Sequence, residues 1–371
     1  MNIGLLNPTI LMRRPIAELA VSLQTRGHQV TIITPVNKGV GWTPSHYEGH
    51  IIPTISLPCW EVRQFLWSWP SWSAVTRLWN VVHEFEVIQI WAPYYLVAIL
   101  PIIFSRLRPK TAKIILTFDT IPGFSFRFES VLDPLMILYH RLVGSWLFRL
   151  AKARTLYSQL LLPFARRAWL GQSFSVIPTG ITLPAVTEPR HQLTEKIELL
   201  FIGILNDRKG VGVLLQAAHW LQQNNIPFHL NIVGDGPGRQ MFEQQRQDLQ
   251  LTESVDFVGR TTDVSTYFQQ ADVFILPSFG EGLPGVVMEA MAYGIPVVAS
   301  NIPCLPDLLP NDQVGQLFAV GSVTALVQAI LHYRDNQEYR QSVATAARKK
   351  IENLTWDLVT PHYEELYART I

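Results

Sequence analysis

The stretch Leu276 to Ser300, LPSFGEGLPGVVMEAMAYGIPVVAS, restricts the fold more than any other part of the chain. It reads as a buried strand over Val273 to Leu276, a glycine-rich loop, a short helix, then Gly294 and Pro296 ahead of another apolar strand. A strand–helix–strand unit of this kind belongs in a parallel, Rossmann-like sheet. A strand that feeds a glycine-bearing turn into a helix aims unpaired N–H groups and the positive end of the helix dipole at an anion. Leu283-Pro284-Gly285-Val286 supplies that helix start, with Pro284 suited to the first turn and Gly285 allowing close approach. Glu281 and Glu289, eight positions apart, bracket it. Carboxylates beside an anion site make sense if they accept hydrogen bonds from hydroxyls, and a nucleotide sugar carries hydroxyls on both sides of its diphosphate.

At 371 residues the chain is long for one domain, and two are expected. A hydrophobic share of 48% against 16% charged excludes a disordered chain. Cys59 and Cys304 lie far apart without metal spacing, which fits a reducing, cytoplasmic compartment and no disulfide framework. Met1 to Asn7 is apolar, but Arg13, Arg14 and Glu18 follow too soon for a signal peptide. The net charge of +1 hides an asymmetry: residues 1–170 hold 17 Lys+Arg against 8 Asp+Glu, and residues 171–371 hold 13 against 21. Nine of the eleven tryptophans fall in the first of these segments, so the two halves face different partners.

Along the chain, Asn2 to Leu6, Val30 to Thr34, Val87 to Trp91 and Lys113 to Phe118 read as strands, with helices at Arg13 to Thr25 and Tyr94 to Leu107. Val87 to Phe104 is uncharged, but Pro93 and Pro101 interrupt it and a strand plus a buried helix explains it better than a membrane span. Leu132 to Ala153 is amphipathic, Ser175 to Pro178 is a short strand, and Thr187 to Thr194 is a polar link. A second alternating series follows: strands at Glu198 to Ile202, Phe228 to Val233 and Val255 to Val258, helices at Val213 to Gln223 and Arg239 to Leu249, and a terminal helical segment from Trp356 to Ala368. The fold class predicted is α/β, with two Rossmann-like domains facing a central cleft. They span 1–185 and 186–352, and residues 353–371 form a helix crossing back to the first.

The pattern GILNDRKG, IVGDGPG, DFVGR and FGEGLPGVVMEAMAYGIPVVAS, with GHQVTIIT and IPTGI upstream, resembles retaining glycosyltransferase family 4, of the GT-B fold. The resemblance covers almost the whole chain, and the paired-glutamate segment is its specific part. It implies a nucleotide-diphospho-sugar donor held mainly by the second domain. Glu289 would hold the ribose hydroxyls, and Glu281 would accept hydrogen bonds from the donor sugar. The stretch Leu283-Pro284-Gly285-Val286 would meet the sugar and diphosphate, through the backbone N–H groups of its members other than Pro284. Lys209 and Arg208 would neutralise the diphosphate as it leaves, and Gly234, Gly259 and Arg260 would line the base. Cations and a helix start placed there favour the transition state, in which the leaving diphosphate gains charge. No cofactor and no metal are expected, since protein cations take the metal's part and the sequence has no Asp-x-Asp pair.

Three departures bear on the resemblance. Gly203 is followed by Ile204 where the family often has arginine, leaving Arg208 as the candidate for that charge. Asn7-Pro8-Thr9 replaces the family's Gly-Gly loop, so acceptor contacts do not carry over. The family's histidine after the strand ILTFDT aligns with Asp119, or with Phe118 after a one-residue slip. Asp119 could act as a base toward the acceptor hydroxyl, bind a donor-sugar hydroxyl, or cap a turn. His28, His83 and His140 read as turn or satisfied residues.

Trp60, Trp67, Trp69, Trp72 and Trp79, with Arg63 and Arg77, sit in a segment that matches no strand of the core sheet. Together with the basic balance they point to peripheral attachment at an anionic membrane surface rather than to nucleic acid, for which no recognisable module is present. The function predicted is a retaining, metal-independent glycosyltransferase acting on an acceptor hydroxyl, of a lipid or lipid-linked glycan. The alternatives are a sugar phosphorylase or nucleotide-sugar epimerase on the same fold, and a non-catalytic membrane-associated nucleotide-sugar binder.

Overall fold

The computed structural model describes residues 1–10, 12–36, 46–47, 49–62, 67–108, 110–121, 132–169, 172–184, 196–261 and 263–371. They form two compact units, Met1–Thr182 with Leu354–Ile371, and Leu183–Asn353. The expected link at 187–194 and Arg63 lie outside the described residues.

The main sheet of the first unit holds the strands β1 (Asn2–Leu6), β2 (Gln29–Val36), β3 (Thr54–Val62), β4 (Trp67–Pro70), β5 (Val87–Trp91), β6 (Lys113–Phe118), β7 (Ala153–Leu156) and β8 (Ser175–Val176), beside a short antiparallel pair of His46–Tyr47 with His50–Ile51. Their order in the sheet is β8-β7-β6-β5-β1-β2-β3-β4, and every pairing is parallel except β3 with β4. The central strands β5 and β6 are almost wholly buried, as parallel strands covered on both faces must be. One face packs on α1 (Arg14–Thr25). The terminal helix, Trp356–Thr370, lies on α1: Ser22 Oγ is 2.7 Å from Thr360 Oγ1, and Trp356 Nε1 donates to Glu18 Oε2 at 2.9 Å. The other face is covered by α2 (Trp72–Val81), α3 (Leu96–Leu107) and α4 (Leu132–Tyr139), the last continuing through a π turn over His140–Gly144 to Leu150.

The tryptophan-rich segment differs from the sequence reading. It is part of the core sheet: β3 pairs with β2, and β4 closes the edge, with Trp60 opposite Trp69. Aromatic cross-strand pairs stabilise such a ribbon, and Pro70 is tolerated because β4 has no further neighbour to bond. The helical run ends at Leu150, and Ala153, the expected end of the amphipathic stretch, is already the first residue of β7.

In the second unit the strands are β9 (Ile197–Ile202), β10 (Phe228–Val233), β11 (Val255–Gly259), β12 (Val273–Leu276), β13 (Val297–Ser300) and β14 (Gln316–Phe318). The helices between them include α5 (Val211–Gln223), α6 (Arg239–Asp248) and α7 (Gly285–Ala292). The sheet is parallel throughout, in the order β11-β10-β9-β12-β13-β14. Strand order therefore reverses between β9 and β12, and the loops leaving these two strands diverge around a crevice where doubly wound sheets hold ligands.

Candidate active site

Two loops flank the reversal point of the second unit: Gly203–Gly210 after β9 and Pro277–Pro284 after β12. They are pressed together at Gly210, where φ is 70° and a Cβ would lie 1.9 Å from Pro277 O, so only glycine fits. Asn206 caps the turn Asp207–Lys209 by accepting from Lys209 N at 3.2 Å. Phe279 N donates to Arg208 O at 2.8 Å, fixing one loop to the other.

This clamp assembles a charge cluster. Lys209 Nζ lies 2.7 Å from Glu281 Oε1, and Arg208 Nη1 lies 3.2 Å from Glu281 Oε2. Arg208 Nη1 also donates to Gly280 O at 2.5 Å. Burial alone would raise the Glu281 pKa, but Lys209 and then Arg208 outweigh it and hold the carboxyl below its ordinary range. The Cys304 thiol donates to Glu281 O at 3.7 Å and is itself pushed up, first by burial and then by Glu281.

Beside the cluster, α7 begins at Gly285 with Pro284 as its cap residue, one position later than the sequence placed it, and no side chain caps it. Apart from its chain neighbours and the backbone of its own helix, no described atom lies within 4 Å of where a Gly285 Cβ would be. Glu289, half-buried, is four residues further on and so lies on the same helical face. Leu283 and Val286 are half-buried around this start. Gly234, at φ 136°, packs against Gly203 O and donates to Gly259 O at 2.9 Å, which joins the β10 and β11 loops to the β9 loop. Arg260 is exposed just beyond. Sequence reasoning missed Arg239, whose Nη1 would stand 3.0 Å from a Cβ on Gly259; only its place on the helix after the Gly-Asp-Gly-Pro loop could have signalled it.

Asp119 belongs to the first unit, at the carboxyl end of β6. Its Oδ2 pairs with Arg13 Nη1 at 2.6 Å, and its Oδ1 accepts from Thr120 N at 2.9 Å and from Tyr94 OH at 3.4 Å. Burial raises the Tyr94 phenol well above its ordinary value, and Asp119 adds to this. Phe118 is buried among Phe148, Trp169 and Phe174, so the polar residue after this strand is Asp119. Arg13 was not singled out from sequence; it lies 106 residues from its partner.

Residues 187–350 match the family described as glycosyl transferases group 1. Over these residues, which lie within the second unit, the chain is similar to the group 1 glycosyltransferases. An uncharacterized glycosyltransferase of Haemophilus influenzae is 31% identical over 47% of this chain and 50% of its own length, so the chain spans half of that relative. The phosphatidyl-myo-inositol mannosyltransferase of Mycobacterium leprae is 27% identical over 95% of this chain and 91% of its own. Among solved structures, Anabaena HepE in complex with UDP and glucose superposes with a TM-score of 0.79 at 19% identity, covering 99% of both chains. That likeness fixes the fold as GT-B.

Proposed function

We propose that the protein is a retaining, metal-independent enzyme that transfers a sugar from a nucleotide-diphospho-sugar to an acceptor hydroxyl of a lipid or lipid-linked glycan. The observation that carries this is the buried Lys209–Glu281 pair, joined by the half-buried Arg208 and set beside a helix start with no side-chain cap, with Glu289 one turn further on. The diphosphate would take the α7 start and the cations, which are worth most as charge develops on the leaving group. An ammonium has three donors, so Lys209 can serve Glu281 and a phosphate oxygen at once. Glu281 would accept from a sugar hydroxyl, Glu289 from the ribose, and Gly234, Gly259 and Arg260 would border the base.

The acceptor would be presented by the first unit. Asp119, tied to Arg13, suits a fixed hydrogen-bond acceptor that orients a hydroxyl better than a base, and the departing phosphate would take the acceptor's proton on the face it leaves. UDP is the first nucleotide to try, because HepE was solved with UDP and glucose. The protein would work in the cytoplasm or on the cytoplasmic face of a membrane; no described helix is long and apolar enough to cross one. A thermal-shift screen over nucleoside diphosphates, followed by donor-hydrolysis and transfer assays read by product stereochemistry, tests the proposal. Inversion at the anomeric carbon, or no response to any nucleotide, would overturn it.

A further inference from the structure

Outside the two sites, the feature with the most physical content is the outer side of the helical layer on the first unit. Along α4 and its continuation, Leu135, Leu138, Leu142 and Trp146 are 58%, 52%, 66% and 63% exposed, while His140, Gly144, Leu147 and Phe148 turn inward and are buried. Spacings of three and four residues put the exposed four on one stripe. The neighbouring helices add Trp72 and Leu107, also exposed, and Arg106 joins α3 to the end of this helix by donating to Leu150 O at 2.6 Å. An exposed apolar stripe of this kind marks an interaction site.

The charges in the same layer identify the partner. The helices α2, α3, 132–150 and Leu162–Ala168 carry Arg77, Arg106, Arg141, Arg149, Arg166 and Arg167, and a single acidic residue, Asp133. Two copies of the chain meeting here would set these arginines against each other, which disfavours a self-association surface. Anionic headgroups would complement them, and leucines with a tryptophan at their margin suit the depth just below those headgroups.

We propose that this layer, centred on the stripe Leu135–Leu138–Leu142–Trp146, is the surface by which the protein lies on an anionic lipid bilayer. It deepens the reading of a membrane-borne acceptor by assigning the attachment to α4 and its neighbours rather than to the tryptophan-bearing β3–β4 edge alone. The experiment is co-sedimentation of the full chain with phosphatidylcholine vesicles, with and without phosphatidylglycerol. Three variants are compared with wild type: Leu142→Glu/Trp146→Glu, Arg166→Glu/Arg167→Glu and, at the β3–β4 edge, Trp60→Glu/Trp69→Glu.

Wild type should sediment only with the anionic vesicles. The first variant should lose at least about tenfold in partitioning, and the second about fivefold or more for each arginine reversed. The edge variant should lose less than either. UDP binding and thermal unfolding should match wild type in the helical variants, because those side chains face solvent. Wild type failing to sediment, helical variants binding as wild type does, or a dimer in sedimentation velocity that the first variant dissolves would each overturn the proposal. Sedimentation without nucleotide binding would instead overturn the proposed enzymatic function and leave this surface standing.

Discussion

Replacing Lys209 by methionine separates a ligand-binding role from that of a mere counter-ion. Lys209 Nζ is 2.7 Å from Glu281 Oε1, and the two side chains are 11% and 8% exposed, so water does little to weaken the pair. Stripping one partner from a buried pair typically costs about 3–5 kcal/mol. Here Arg208 stays 3.2 Å from the other carboxylate oxygen, so the loss should fall to about 1.5–3 kcal/mol, the worth of one charged hydrogen bond. Glu281→Gln removes the charge left behind, and the double variant should recover roughly 1–2 kcal/mol of that loss in urea unfolding.

The pH dependence has a definite sign. Glu281 is held below its ordinary value of 4.5, so its contribution to stability is complete above that value and lost as pH falls through the lower folded-state value. Lys209→Met removes the larger of the lowering influences, so acid unfolding should begin at a higher pH than in wild type. Transfer rates discriminate. If Lys209 stabilises the leaving diphosphate, kcat should fall about 10²–10³-fold, roughly 2.7–4 kcal/mol, and Glu281→Gln should not restore it. A double variant that regains activity along with stability would refute the ligand role, as would Lys209→Met turning over within about threefold of wild type.

Two further outcomes follow from the same site. Glu289→Ala should weaken nucleoside diphosphate binding by about 10–100-fold in calorimetry, the loss of a charged hydrogen bond, with thermal unfolding little changed; unchanged affinity would remove the ribose assignment. Excess EDTA should leave sugar transfer within experimental error of the untreated enzyme, whereas a loss restored by added magnesium or manganese would show that the protein cations do not suffice.

What could be read from sequence was what local chemistry dictates. Leu276 to Ser300 announces a strand, a helix start and a second strand because glycines, proline and apolar runs sit within one crossover. The pairing of Lys209 and Arg208 with Glu281 was beyond local reasoning: it depends on β9 and β12 being neighbours in the sheet, although β10, β11 and the helices around them lie between the two in the chain. Arg13 meeting Asp119 has the same origin in the first unit, where β1 and β6 flank β5. The β3–β4 ribbon was lost because Pro58 and Pro70 disguise strands that only their partners reveal. The strand β7 was not read from the sequence: it is four residues long, and the amphipathic run was carried on to its first residue, Ala153. The π turn at His140–Gly144 left no signal in the leucine spacing around it.

Gly285→Val reaches the nucleotide assignment most directly. Apart from the chain neighbours and the backbone of α7 itself, no described atom lies within 4 Å of the added Cβ, and the residue's φ is not positive, so the fold should tolerate valine while the approach to the start of α7 is obstructed. Titrated with UDP in a calorimeter, wild type should bind, and Gly285→Val should bind at least about tenfold more weakly at an unchanged unfolding temperature. Equal affinity in the two proteins would mean that the diphosphate sits elsewhere.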